Sequence, residues 1–293
     1  MYSQIEGNKR KSLLLVILFI ILIGILAWVL VQLLDFGIIG YAVSALFIII
    51  FSLVSYYYSA NIVLKISGAR ELQKKEFPFL FHTVEGLAIA AGIPAPKCYI
   101  IEDTAPNAFA TGRDPKNSVI VVTTGLLQKL NRLELEGVIA HETSHIKNYD
   151  IRLMTLVSVF VGIAALLSDF ILRSFYYRRR EHGHGRAAAF LVIFGILLAI
   201  LSPLIAQLIK FSVSRNREFL ADASGAMLTR YPEGLASALE KISKDKEPLE
   251  AANKATAHLY IVNPLKDYHS FLSNLFSTHP PVEERIRVLR SRK

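Results

Sequence analysis

The sequence predicts a mostly α membrane protein: four hydrophobic helices in two hairpins, joined to an α+β domain with a small edge β-sheet. Three observations predict it. The 293-residue chain is 53% hydrophobic and only 19% charged, and its mean hydropathy of +0.40 is high for a water-soluble globular protein. The apolar excess is concentrated in residues 12–34, 36–64, 153–172 and 187–209, where Asp169 is the only charged side chain. The rest of the chain is long enough to build one water-facing domain with its own core, and it carries a histidine pair at metal-ligand spacing, His141 and His145. An ordinary cytosolic enzyme and a disordered chain are both excluded. The reading divides the chain into an N-terminal transmembrane hairpin (1–64), the first part of the domain (65–150), a second membrane hairpin (151–210) and the second part of the domain (211–293).

The elements follow in order. Lys9-Arg-Lys11 precedes an uncharged run from Ser12 to Leu34, longer than a signal peptide's apolar region and without a small-residue cleavage site, so it reads as a retained span. Asp35-Phe-Gly37 turns the chain into a second span within 36–64, with Tyr56-Tyr-Tyr58 at interfacial depth. Basic residues flank the outer ends of this hairpin, which places the N-terminus and residues 65–150 on the cytoplasmic side. The second hairpin is ambiguous, because its loop holds Arg173, Arg178, Arg179, Arg180 and Arg186 against Glu181 alone. It either packs on the first hairpin and crosses, or enters the bilayer without crossing. Residues 70–91 have amphipathic helical spacing and end at Gly92, with Pro94 and Pro96 beyond. Lys97–Ile101 and Ser118–Thr123 read as strands, Asn107–Gly112 as a polar–apolar alternation between them. The last helices are expected at about 214–230, 233–244 and 283–291.

Charge and cysteine content narrow the function. The net charge of +9 lies largely beside the apolar stretches, which suits anionic lipid headgroups rather than a nucleic-acid groove. One cysteine, Cys98, excludes an intramolecular disulfide or a multi-cysteine metal site, and its apolar surroundings predict a buried core residue.

The sharpest motif is His141-Glu142-Thr-Ser-His145. Positions i and i+4 share a helix face, so both imidazoles can reach one ion, with Glu142 beside it facing the water. The pattern is expected by chance only about 0.01 times in such a chain. Asn131 and Glu134 form a capping-box pair at the helix start, and Leu133, Val138 and Ile139 give an apolar face. A catalytic zinc takes three protein ligands and keeps one open position. Glu218 is the best third candidate, because it follows Lys210, at the end of the fourth apolar stretch, by the same number of residues as His145 precedes the third. A helical hairpin between them would bring the two segments side by side. Asp222, one turn further, is placed to accept the free N–H of a ligand histidine and fix its tautomer, or else pairs with Arg215 or Arg217.

Together with the later Arg-x-x-Glu-x-x-Ala-Asp, Asn107-Ala-Phe-Ala-x-Gly112 and Thr278-His-Pro280, this motif resembles the HtpX family across essentially the whole chain. These are bacterial membrane zinc metalloproteases related to the CAAX prenyl endoproteases. The resemblance implies a gluzincin-like metalloprotease domain with one Zn2+ per chain on His141, His145 and Glu218, and Glu142 as general base. It also implies a multi-pass protein of the bacterial inner membrane whose cytoplasmic site degrades misfolded or damaged membrane proteins as part of stress response and quality control. His279 is a candidate for steadying the oxyanion, or else packs at a helix start. Asn107, Ala108, Phe109 and Ala110 form an edge that would pair with an extended substrate, or a plain hairpin of the core. His182, His184, His82, His258 and His269 read as ordinary loop, helix or surface residues. Two other readings stand beside this one: a prenyl-protein processing protease, and a non-catalytic metal-binding membrane scaffold. The scaffold would need a fourth side chain on the metal and leaves Glu142 without a role.

Overall fold

The computed structural model describes residues 2–34, 37–162, 215–253, 255–264 and 280–291. The arginine-rich loop, the fourth apolar stretch, the second half of the third, and His182, His184, His269 and His279 lie outside the described residues.

Two long helices open the chain, α1 (Tyr2–Leu34) and α2 (Gly37–Tyr57). The 21 residues of α2 span roughly 31 Å, enough to cross a hydrocarbon layer. Its apolar side chains lie bare, with Ile38 85% and Leu46 59% exposed. An all-round apolar surface of that length has no stable place in water. The apolar run continues to Leu64, but the helix does not. It breaks after Tyr57, and a separate short helix, α3 (Ser59–Ile66), turns Val63 and Leu64 into the core. Composition could not place that break, because α3 is as apolar on its buried face as α2 is all round.

The helix expected over 70–91 is likewise shorter. Arg70–Glu71 forms β1, antiparallel to Ile100 and Tyr99, and Leu72 N–H continues that ladder to the Cys98 carbonyl. α4 (Pro78–Ala91) begins at a proline, whose missing N–H costs a first helical turn nothing, and stops at Gly92 with φ +71°. Strands β2 (Lys97–Ile101), β3 (Ala108–Asp114) and β4 (Asn117–Thr123) complete a mixed sheet of order β1-β2-β4-β3. β2 runs parallel to β4, and β3 antiparallel to it. β3 is therefore an edge strand.

Period-two alternation splits the sheet between two cores. Cys98, Ile100, Ala108, Ala110, Ile120 and Val122 face a core shared with α4, α6 (Arg132–Lys147) and α9 (Pro232–Lys244). Ile101, Phe109, Val119 and Val121 face the other, with α3, the helical segment 150–162 (α7), Tyr260 and Leu15 of α1. Burial pushes the Cys98 thiol up to about 12, so it behaves as a small apolar core residue. The short helix α5 (Thr124–Lys129) leads into α6, and α8 (Arg215–Thr229) and α10 (Val282–Arg290) complete the described helices.

Candidate metal centre

The expected capping box is present. Asn131 Oδ1 accepts from Glu134 N–H at 3.0 Å, and Glu134 Oε2 accepts from Asn131 N–H at 2.8 Å. Two groups of α9, Ser237 Oγ and Lys241 Nζ, also donate to Glu134 at 2.8 Å each. Beyond this start, α6 is buried on nearly every side rather than amphipathic. Val138 and Ile139 are fully buried, whereas Leu133, expected on the apolar face, is half exposed. Thr143 and Ser144 reconcile polar side chains with that burial by donating to the carbonyls of Ile139 and Ala140.

α8 lies directly against α6. A Cβ on Gly225 would come within 3.0 Å of the His141 backbone nitrogen, so a side chain there would force the helices apart. Glu218, Asp222 and Gly225 share one helix face at i, i+4 and i+7, and the close approach at Gly225 delivers both carboxylates to the histidine pair.

Three donor atoms converge. His141 Nε2 and His145 Nε2 are 3.1 Å apart. Glu218 Oε1 lies 3.5 Å from His145 Nε2, and Glu218 Oε2 3.9 Å from His141 Nε2. A tetrahedral zinc with bonds of about 2.0–2.1 Å would set its ligand atoms roughly 3.3 Å apart. Each imidazole turns Nδ1 to a carboxylate, His141 to Asp222 Oδ1 at 2.9 Å and His145 to Asp150 Oδ2 at 3.0 Å. The two carboxylates can each hold a proton at Nδ1, which leaves both Nε2 atoms to serve as ligands. Two imidazole nitrogens and a carboxylate oxygen at these separations fit a divalent cation.

The electrostatics follow from burial and neighbours. Burial drives His141 down to about 4, against the pull of Asp222. Burial also acts to lower His145, but the hydrogen bond to Asp150 and the charge of Glu218 prevail and raise it to about 9. Glu142 is pushed up to about 7, chiefly by burial, with the charge of Glu218 adding to it. The backbone N–H of Ala110, on the edge strand, faces its carboxylate and acts to lower its pKa.

Two neighbours of this site were not singled out from the sequence. Arg285 of α10 is fully buried, and donates through Nη2 to Asp222 Oδ1 at 2.7 Å and through Nε to Oδ2 at 2.9 Å. Its Nη1 donates to the Ile261 carbonyl at 2.9 Å and lies 3.6 Å from Glu218 Oε2, while Nη2 is 3.4 Å from His141 Nε2. Burial works to raise Asp222, but the adjacent guanidinium brings it down to about 2. Asp222 thus faces His141 Nδ1, and its cationic partner is Arg285 rather than Arg215 or Arg217. The signal was present: Val282, Arg285, Ile286 and Leu289 form one apolar stripe of the last helix, and Arg285 is the charge upon it. The other neighbour, Asp150, follows the turn that ends α6, beyond the periodic pattern.

The edge strand holds its place, and the outward backbone groups of Ala108, Ala110 and Gly112 are engaged. The Ala108 carbonyl accepts Ile261 N–H at 2.9 Å, Ala108 N–H donates to Asn107 Oδ1 at 3.1 Å, Ala110 N–H faces Glu142, and Gly112 N–H donates to Thr155 Oγ1 at 3.1 Å. Asn107 Nδ2 donates to the Val262 carbonyl at 2.9 Å. Phe109 turns into the second core, its ring 4.9 Å from that of Tyr260. His82 is exposed as expected, but His258 is buried, with Nε2 3.2 Å from the Met154 carbonyl. It fills a core position under the 249–260 segment, which periodicity did not reveal.

A helix-borne histidine pair, a carboxylate from a second helix and a small mixed sheet alongside are the features of a metallopeptidase, and the comparisons agree. Residues 74–293 match peptidase family M48. A protease HtpX homolog from Dictyoglomus thermophilum is 54% identical over 289 residues, covering 99% of this chain and 94% of its own. One from Thermoanaerobacter pseudethanolicus is 44% identical over 295 residues, covering 99% and 97%. The crystal structure of S. mikatae Ste24p superposes with a TM-score of 0.51 at 19% identity, covering 99% of this chain and 67% of that one, a likeness of fold. The chain belongs to peptidase family M48, in its HtpX group.

Proposed function

We propose that this protein is a membrane-embedded zinc endopeptidase of the bacterial inner membrane that cleaves misfolded or damaged proteins, membrane proteins among them, on the cytoplasmic side as part of stress response and quality control. The observation that carries the reading is the convergence of His141, His145 and Glu218 on one point, with Glu142 buried beside it. A zinc ion held by those three side chains would polarise a scissile carbonyl and activate water. Glu142 accepts the proton of the attacking water and returns it to the departing amine. Asp222 and Asp150 keep the ligand histidines protonated at Nδ1, so that Nε2 stays bare. His279, shortly before α10 in sequence, is assigned to steady the oxyanion. An extended substrate pairs along β3 from Asn107 to Ala110, taking the Ala108 carbonyl over from Ile261. Recognition through backbone groups reads shape more than side chains, which suits a broad quality-control protease. The bare apolar surface of α2 and the apolar course of α1 make the lipid bilayer the other partner, and nucleic acid has no part.

The test compares the native chain with Glu142→Gln, each purified in detergent with chelator and resupplied with zinc and an unfolded protein such as casein. Both should bind one zinc, and the variant should cleave about 10²–10⁴-fold more slowly. Zinc binding without cleavage by the native chain would contradict the broad-protease reading and direct the assay to prenylated peptides. His279→Ala should lower turnover with zinc content intact, and loss of zinc in that variant would refute the oxyanion assignment.

A further inference from the structure

Asn8 lies near the start of α1, yet its side chain is only 4% exposed. Its Nδ2 donates to Asp150 Oδ1 at 2.7 Å and to the Asn148 carbonyl at 2.9 Å. Its Oδ1 accepts from Arg217 Nη1 at 3.4 Å, and the same Nη1 lies 3.7 Å from Asp150 Oδ1. Asp150 spends its other oxygen on His145 Nδ1. One amide from the first helix thus joins the turn after α6, which carries Asp150, to the residue of α8 that precedes Glu218. The donor-plus-acceptor pattern matters, because a carboxylate on one side and a guanidinium on the other can both be satisfied by an amide but not by an apolar or singly polar group. The surroundings fix the amide in place. Lys9 Nζ lies 4.5 Å over the Tyr149 ring, Ser12 Oγ donates to the Asn8 carbonyl at 2.9 Å, and Leu15 is buried in the second core.

We infer that Asn8 is a positioning residue of the metal centre: the N-terminal turns of the first apolar helix orient Asp150, and through it His145, so that the metal site is completed by a segment far from the HExxH helix in sequence. This rests on the reading of His141, His145 and Glu218 as metal ligands. It has a consequence for regulation, since any displacement of α1 from the domain releases one oxygen of Asp150 and loosens the imidazole it holds.

The experiment measures zinc affinity of the full-length, metal-free chain in detergent by competition with a chromophoric chelator, and records the visible spectrum of the Co2+-loaded protein. Asn8→Leu and the milder Asn8→Ala are compared with Leu15→Ala, which loosens packing of the same helix without touching Asp150. Both Asn8 variants should bind zinc about ten-fold more weakly, as removal of a ligand's supporting hydrogen bond does, with altered cobalt bands. Leu15→Ala should lower the melting temperature and keep native affinity and spectrum. Native affinity in both Asn8 variants overturns the inference, and so does an equal loss in Leu15→Ala. A native chain that binds no metal would instead refute the metal-site reading itself.

Discussion

Arg285 and Asp222 form a buried, doubly hydrogen-bonded ion pair whose carboxylate also faces His141 Nδ1. Removing one partner of such a pair leaves an uncompensated buried charge, a loss of about 3–5 kcal/mol, whereas replacing both with apolar groups can be far milder. Asp222→Ala should therefore lower stability by that amount and weaken zinc binding about 10–100-fold, measured by thermal unfolding and chelator competition. The double variant Asp222→Leu/Arg285→Met should recover much of the stability but not the zinc affinity. Recovery of both would show that the pair supports packing only. The cluster of His141, His145 and Glu218 was legible in the sequence, because metal chemistry dictates residue type and helical spacing. Their supporting partners were less so. Asp222 followed from the helical repeat, but Asp150, Asn8 and β3 belong to other elements whose approach to the site is set by tertiary packing.

Among the elements, α6 depends on its start and on its neighbour. Glu134 closes the capping box and receives Ser237 and Lys241. Burial alone would raise its carboxyl, but Lys241, the Asn131 N–H and Ser237 together hold it below the ordinary value. A lowered folded-state pKa stabilises above the unfolded value of about 4.3 and is lost as pH falls through the folded one. Glu134→Ala should cost about 1–2 kcal/mol near neutral pH, and the gap from native should shrink below about pH 4; a pH-independent gap in thermal unfolding would contradict the charge-based account. Gly225→Ala should separate α8 from α6 at a cost of about 1–3 kcal/mol and weaken zinc binding with it, whereas native affinity would show that the helices tolerate the added methyl. Ala108→Pro removes an outward-facing N–H that donates only to the neighbouring Asn107 Oδ1 at 3.1 Å, a loss an edge strand can tolerate, so it should raise KM for casein without unfolding the chain, and an unchanged KM would mean that substrate does not lie along β3. The helix end at Gly92 was readable from local chemistry, but the start at Pro78 was not. The amphipathic spacing of 70–77 is also satisfied by a short strand and a turn, and the paired β2 edge decides in favour of the strand. The break at Tyr58 was hidden in the same way by continuous apolarity.

For the whole molecule, the metal would join α6 to α8, two helices separated in sequence by residues 148–214. A ligand bound only by the folded state stabilises it by about 4 kcal/mol when present at a thousand times its Kd. Chelation should thus lower the melting temperature by several degrees, and zinc should restore it; an unchanged transition would mean that the two helices do not share an ion. Composition and charge predict apolar helices beside a water-facing domain, because long uncharged runs have few other stable environments, and α2 is the described helix that matches this in length and bare apolar surface. They could not show that α1 reaches back to the metal centre through Asn8, a contact made between segments with no sequence relation.

The central claim is that His141, His145 and Glu218 hold one divalent ion in common. Its most direct test is elemental analysis of metal per chain in the native protein and in Glu218→Gln, both exchanged into buffer with limiting free zinc after purification in detergent. The account predicts one zinc per native chain and a large loss in the variant, which keeps the shape of the carboxylate but not its charge. Equal zinc in the two proteins, or none in either, would contradict it.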